Sequence, residues 1–424
     1  MEVKPGYKQT EVDVIPEDWN LEYVENLAYI TTGGKNTQDR VEDGLYPFFV
    51  RSQNIERINS YSFDGEAVLT AGDGVGTGKV FHYINGKFDV HQRVYRISDF
   101  KEGINGFFFY LYFSSHFYNR IMQMTAKSSV DSVRRDMIAR MQIPLPPTLA
   151  EQEAIAGALS DADALIESLE QIIAKKRLVK QGAMQRLLSP PEPTPIDNGE
   201  LKMENGDNSQ LSIVHSQLNL RLPGFSGEWE EKRLGQIGTF LKGSGVSREQ
   251  SQSGKIPCVR YGEIYTHHEY FIKSFNSWIS HDVAATATRL QHGDILFAGS
   301  GETKEEIGKC VAFVDDIEAY AGGDIVILRT ENVDPLYLGY YLNTAPIIRQ
   351  KASRGQGDAI VHISGTSLSE IQGLFPSLSE QTAIAAILSD MDAEIAALEE
   401  KLAKARQVKQ GMMQELLTGR IRLV

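Results

Sequence analysis

A 43-residue stretch from Pro147 to Ser189, PTLAEQEAIAGALSDADALIESLEQIIAKKRLVKQGAMQRLLS, recurs from Pro376 to Thr418 as PSLSEQTAIAAILSDMDAEIAALEEKLAKARQVKQGMMQELLT. Adding 229 to each number in the first copy gives the second without a gap, and 26 of the 43 positions are identical. That is an internal repeat, and the ungapped match shows that spacing along the segment matters as well as composition. Each copy reads as one long helix. A proline precedes an S/T-x-x-E capping box, Thr148 with Glu151 and Ser377 with Glu380. Apolar residues then recur at 3–4 spacing: Ile155, Leu159, Ala162, Ile166, Leu169 and Ile173, matched by Ile384, Leu388, Met391, Ile395, Leu398 and Leu402. This is the a/d seam of a coiled coil. A helix of about 40 residues spans roughly 60 Å and cannot bury its stripe against itself, so the other copy is the expected partner.

What surrounds the repeat is ordinary globular sequence. A chain of 424 residues exceeds one domain. The N-terminal stretch MEVKPGYKQTEVDV has no signal-type apolar core, and the longest apolar run, Gly106 to Phe113, is too short to span a membrane. Cys258 and Cys310 are the only cysteines, without a CxxC or a Cys/His cluster, which points to the cytoplasm and away from structural zinc. The net charge of −13 argues against a free-standing nucleic-acid binder.

Residues 1–147 read as a mixed domain, with strands at Tyr46–Val50, Glu66–Ala71 and Lys79–Ile84, a hairpin turn at Asn85-Gly86, and a buried helix over Phe107–Met124. The first long helix takes residues 148–189. Residues 190–218, rich in Pro, Asn, Gly and Glu, read as an exposed linker. Residues 219–376 repeat the first domain's layout sparsely: Trp229 for Trp19, Arg260 for Arg51, Ala298-Gly299 for Ala71-Gly72, Gly308-Lys309 for Gly78-Lys79, and Tyr341-Leu342 near Tyr110-Leu111. The second long helix and tail take 377–424. Ile421-Arg422-Leu423 resembles Leu220-Arg221-Leu222, so the layout is cyclic. The expected fold is α+β: two mixed domains joined by two long antiparallel coiled-coil helices, in a pseudo-two-fold arrangement.

Two motifs suggest ligands and fall short. Phe297-Ala298-Gly299-Ser300-Gly301 fits the F-x-G-x-G pattern of S-adenosylmethionine-binding methyltransferases, but no N-P-P-Y or D-P-P-Y tetrapeptide accompanies it; a tight turn is the default. Gly74 to Lys79 fails the phosphate-loop spacing, with Asp73 in place of the first glycine. No metal or catalytic constellation stands out. Polar and basic residues do recur at matching places. Arg51, Ser52, Gln53 and Asn54 follow one strand, and Arg260, Tyr261 and Glu263 follow its counterpart; Arg, Asn, Gln and Glu are the side chains that read base edges. Lys79, Lys127, Arg134, Arg135, Lys304, Lys309 and Arg354 are candidates for phosphate contacts.

Taken together, PTLAEQEAIA with PSLSEQTAIA, KQGAMQRLLS with KQGMMQELLT, and PGFSGEW opening the second half make the chain resemble the specificity subunit of a type I restriction–modification system, over essentially its whole length. The resemblance implies two target recognition domains, each reading one half of a split site in double-stranded DNA, with the helices as spacer. It implies docking of two methyltransferase subunits and two restriction/translocase subunits in the cytoplasm, with no membrane partner. No cofactor is expected in this chain: S-adenosylmethionine, ATP and Mg would sit in the partners, which would also share the DNA despite this chain's negative charge. Lys180, Gln181, Lys409 and Gln410, polar yet repeated, are the candidate methyltransferase-docking residues. Two alternatives stay open: a self-contained DNA methyltransferase using FAGSG, and a coiled-coil scaffold with protein-binding end domains.

Overall fold

The computed structural model describes residues 4–124, 132–190, 221–357 and 360–423. The linker from 191 onward and Lys127 lie outside them. The chain divides into two compact units, one formed by Met1–Gln171 with Glu399–Val424 and the other by Ile172–Leu398. The division cuts both long helices, Leu149–Leu187 and Leu378–Leu416, instead of following their ends. Each unit therefore holds a globular head, the N-terminal part of its own helix and the C-terminal part of the other.

In the first unit the head is built on a six-stranded sheet. Its spatial order is Tyr29–Thr32, Val94–Ser98, Phe63–Ala71, Phe81–Val90, Tyr46–Phe49, Glu56–Ile58. All neighbours are antiparallel except Phe81–Val90 with Tyr46–Phe49. The expected turn at Asn85-Gly86 is absent. Both residues lie inside the ten-residue strand Phe81–Val90, opposite Glu66 and Gly65. Gly86 and Gly65 face each other at φ +138° and +147°, backbone that glycine adopts readily, so the glycines let two long strands continue where a turn was expected. The aromatic helix forms as expected over Gly106–Met124 and packs Phe108, Phe109, Phe113 and Phe117, all fully buried, into the core.

The second unit repeats this scaffold with a shorter, split sheet. Gly238–Lys242, Ile325–Thr330, Asp294–Ala298 and Cys310–Ala312 form one antiparallel sheet. Ile256–Val259 runs parallel to Tyr320–Ala321 in another. The single aromatic helix is replaced by two, Pro335–Tyr341 and Ala345–Arg354. Hydrogen bonds fix the correspondence of the two heads. Gln152 accepts from the Asn105 backbone N–H at 2.9 Å and Gln381 from that of Asp334 at 3.0 Å. Asn105 and Asp334 in turn cap the helices through Phe108 and Tyr337. The same shift of 229 thus pairs Tyr112 with Tyr341, two residues away from the match expected at Tyr110.

The helix seam behaves as its spacing predicts. Ile155, Leu159, Leu169, Ile173, Ile384, Leu388 and Ile395 are buried, and the remaining seam positions are half-buried. Within the first unit Asp163 meets Lys409 and Glu170 meets Arg406; within the second, Lys176 meets Glu394 and Lys180 meets Asp392. Rising numbers on one helix meet falling numbers on the other, so the segments run antiparallel in both units. The heads grip the helix ends. Ile155 and Leu159 with Leu416 and Leu417 complete the first core, and Ile384 and Leu388 with Leu188 complete the second.

The capping boxes form only in half. Thr148 and Ser377 accept from the backbone of Glu151 and Glu380, at 3.2 and 3.4 Å. The two glutamates, 0% and 1% exposed, turn elsewhere. Glu151 receives Nε and Nη2 of Arg422, which also reaches Asp18. Glu380 receives Nε and Nη2 of Arg221 at 2.9 and 2.6 Å. Each carboxylate holds its arginine's pKa above the ordinary value. Arg422 does in one unit what Arg221 does in the other, as the cyclic layout requires.

Candidate nucleic-acid interface

The first head gathers polar loops at one end of its sheet. Arg51 leaves the strand Tyr46–Phe49 exposed, and its Nη1 donates to Asp73 Oδ1 at 2.8 Å. Asp73 opens the glycine-rich loop after Phe63–Ala71. Gly74 and Gly78 there take φ of +86° and +69°, and a Cβ on Gly76 would lie 2.9 Å from the Arg51 carbonyl oxygen. The loop is therefore shaped by its own packing, and its tip, Val75, is fully exposed. Gln53, Asn54, Lys79, Arg134 and Arg135 are exposed beside it. Ser52 is half-buried, with its hydroxyl donating to Asn54 O at 3.0 Å. The Val133 N–H donates to Gly72 O at 2.7 Å and so ties the Arg134-Arg135 segment to the loop. Arg93, which the sequence reading missed, joins this group through Asp73; its only sequence signal was a basic residue next to the start of a strand.

In the second head the corresponding residues are more deeply committed. Arg260 is half-buried at the start of the short helix Tyr261–Thr266. Glu263, expected to face a base, is buried: its carboxylate accepts from the Arg260 backbone N–H at 3.3 Å and from the Ser277 hydroxyl. A glutamate at the third helical position is drawn to the helix's unsatisfied N–H groups. Lys309 is half-buried and donates to His268 O at 2.9 Å, and burial lowers its pKa. Arg354 donates to the Gln350 and Glu370 carbonyls at 3.1 and 3.3 Å. Tyr261 and Lys304 are exposed. Tyr261 borders a cleft of about 1000 Å³ lined also by Tyr265, Tyr270, Glu302, Glu306 and the buried Lys351, whose ammonium donates to Gly308 O at 2.6 Å. Glu302 and Glu306 here can accept from base amino groups, and Lys309 lines the same cleft.

The F-x-G-x-G segment is a packing turn. A Cβ on Gly299 would lie 2.8 Å from Asp324 O, and Ser300–Gly301 pairs with Val361–His362. The space beside that glycine is filled by the chain's own backbone. Among the described residues no group of three or more His, Cys, Asp or Glu could hold a metal ion. Among them also, no helix is long and apolar enough to cross a membrane.

Of the four polar helix residues, the lysines face inward. Lys180, 6% exposed, reaches Asp392 Oδ1 at 2.6 Å, and Lys409 is half-buried against Asp163. Gln181 and Gln410 are exposed, and so, on a different side of each helix, are Val179 and Val408, at 48% and 52% exposure. The inward turn of the two lysines was hidden in the sequence because Lys and Gln looked equally external.

The model of the type I restriction modification DNA specificity domain matches the chain twice, over residues 16–175 and 226–407. The specificity subunit of the Escherichia coli type I restriction enzyme EcoDI is 28% identical over 53% of this chain and 49% of that protein, about half its length. The putative MjaX specificity subunit of Methanocaldococcus jannaschii is 25% identical over 99% of this chain and 97% of its own. The S subunit of a type I restriction–modification system from M. genitalium shares the fold, with TM-score 0.59, 15% identity and 98% of both chains covered. A chain from a study of assembly and conformational transition of the type I R-M system gives TM-score 0.51 at 14% identity, over 96% of this chain and 99% of that one.

Proposed function

Because the chain belongs to the type I restriction–modification DNA specificity family, we propose that it selects the DNA site at which a type I complex acts, each head reading one half of a bipartite sequence. The observation that carries this is the doubled family match, each copy covering one head together with most of one long helix, while the loops of the two heads carry different side chains. A shared scaffold with unlike loops fits an asymmetric target. The helices act as spacer, and the exposed Gln181 and Gln410 mark the faces that receive methyltransferase subunits in the cytoplasm. S-adenosylmethionine, ATP and Mg belong to those partners and to the restriction/translocase subunits. The chain itself does no chemistry.

Methylome mapping of the host with and without the gene tests this. One bipartite adenine-methylation motif should vanish on deletion; an unchanged methylome would overturn the reading and favour the scaffold alternative. Inserting four residues after both Ala174 and Ala403 should lengthen the gap between half-sites and leave the half-sites unaltered. One turn of duplex is about 34 Å, so a gap that stays the same would rule out the spacer role.

A further inference from the structure

Two arginines from different loops flank one carboxylate in the first head. Arg51 Nη1 lies 2.8 Å from Asp73 Oδ1 and Arg93 Nε lies 3.7 Å from Asp73 Oδ2. The arginine side chains are 44% and 65% exposed, while Asp73 between them is 27% exposed. The backbone of Arg93 is fixed on both sides. Its N–H donates to Nδ1 of the buried His91 at 3.0 Å, and its carbonyl accepts from Gly72 at 2.8 Å. His91 is held in turn by its own N–H to Phe49 O at 3.0 Å.

We propose that Arg93, beside Arg51, reads guanine edges in the half-site of the first head, and that Asp73 is the positioning residue that aims both. The inference rests on the DNA-recognition reading above. A guanidinium has five donors; Asp73 takes one from Arg51 and faces Arg93 as an ion pair at 3.7 Å, so most donors of both forks stay available on side chains 44% and 65% exposed. Pairing with guanine O6 and N7 is bidentate and depends on orientation, whereas a phosphate contact needs only positive charge. A carboxylate placed in a phosphate-facing cluster weakens attraction to DNA. Its presence therefore makes sense where aim matters more than charge. At exposed Gly74 a Cβ would meet nothing nearer than Arg51 Nη1 at 3.9 Å, so no side chain there stands between the Arg51 fork and an approaching duplex.

The test is methylome mapping of the host carrying the intact complex with Arg93→Ala, Arg93→Lys or Asp73→Asn. Discrimination should fall by about one to two orders of magnitude at one or two positions of one half-site, with the other half retained. Arg93→Lys keeps the charge and loses the fork, so it should relax the motif as Arg93→Ala does. Asp73→Asn should relax it too, although it makes the surface more positive. A wild-type motif with Arg93→Lys would show a phosphate contact and overturn the proposal, as would tighter binding with unchanged specificity in Asp73→Asn. The wild-type and deletion strains report separately on the DNA-recognition reading, since only its failure leaves every motif in place on deletion.

Discussion

The pair Lys180–Asp392 and the pair Lys409–Asp163 occupy the same two positions of the repeat, and their surroundings differ. In the second unit both partners are about 7% exposed. Tyr340 donates its hydroxyl to Asp392 Oδ2 at 2.6 Å, and the Lys180 ammonium lies 4.2 Å from the Tyr270 ring centroid. In the first unit the position equivalent to Tyr340 is Leu111, and Lys409 and Asp163 are 23% and 47% exposed. The same lysine–aspartate pair thus gives a sealed ionic cluster against one head and a more open ion pair against the other. The difference lies in the heads, which shows that the helix repeat was kept while its environment diverged.

Four measurements sharpen or break that contrast. The largest effect concerns the contacts that did not diverge. Arg422→Ala and Arg221→Ala each strand a buried glutamate and should lower stability by about 3–5 kcal/mol, equally, in denaturant titrations; unequal losses would break the equivalence of the two tail arginines. Asp392→Ala should cost about 3–5 kcal/mol because Lys180 stays buried without its carboxylate, whereas Asp163→Ala should cost about 0–1 kcal/mol. Equal costs would mean that burial by the second head contributes nothing. Tyr340→Phe should remove about 1–3 kcal/mol, as an unmet carboxylate hydrogen bond implies, with no measurable change for Leu111→Met beyond repacking. The smallest expected effect is on pH. Burial lowers the pKa of His82, His91 and His116 in the first unit; in the second it lowers that of His268 to about 4. Unfolding restores the ordinary value near 6.5, so the unfolded chain takes up more protons and stability falls as pH drops through 6.5, down to about 4 for His268. His268→Gln should flatten the melting curve against pH; an unchanged slope would remove His268 from this account.

The sequence was informative wherever a pattern reported on its own neighbourhood. The seam from Ile155 to Ile173, the aromatic helix at Gly106–Met124 and the tail match of Arg422 to Arg221 were all visible as spacing. Features decided by distant strands were not visible. Asn85-Gly86 has the composition of a turn, but pairing with Gly65 and Glu66 holds it extended. Lys180 reads as surface because an isolated helix gives no sign of Tyr340 and Tyr270 closing over it. Glu263 reads as a base reader because the capping demand of a six-residue helix is invisible until the helix is drawn. Arg93 and Arg51 lie 42 positions apart in the chain, and only the crossing order of the sheet brings both to Asp73.

The sharing of helix ends has a consequence for synthesis. Leu416 and Leu417 sit in the core around Trp19, and Glu151 has its arginine in Arg422. The head translated first therefore stays unfinished while the whole second head is made, and it closes only when the last helix emerges from the ribosome. The second head needs nothing made after its own helix.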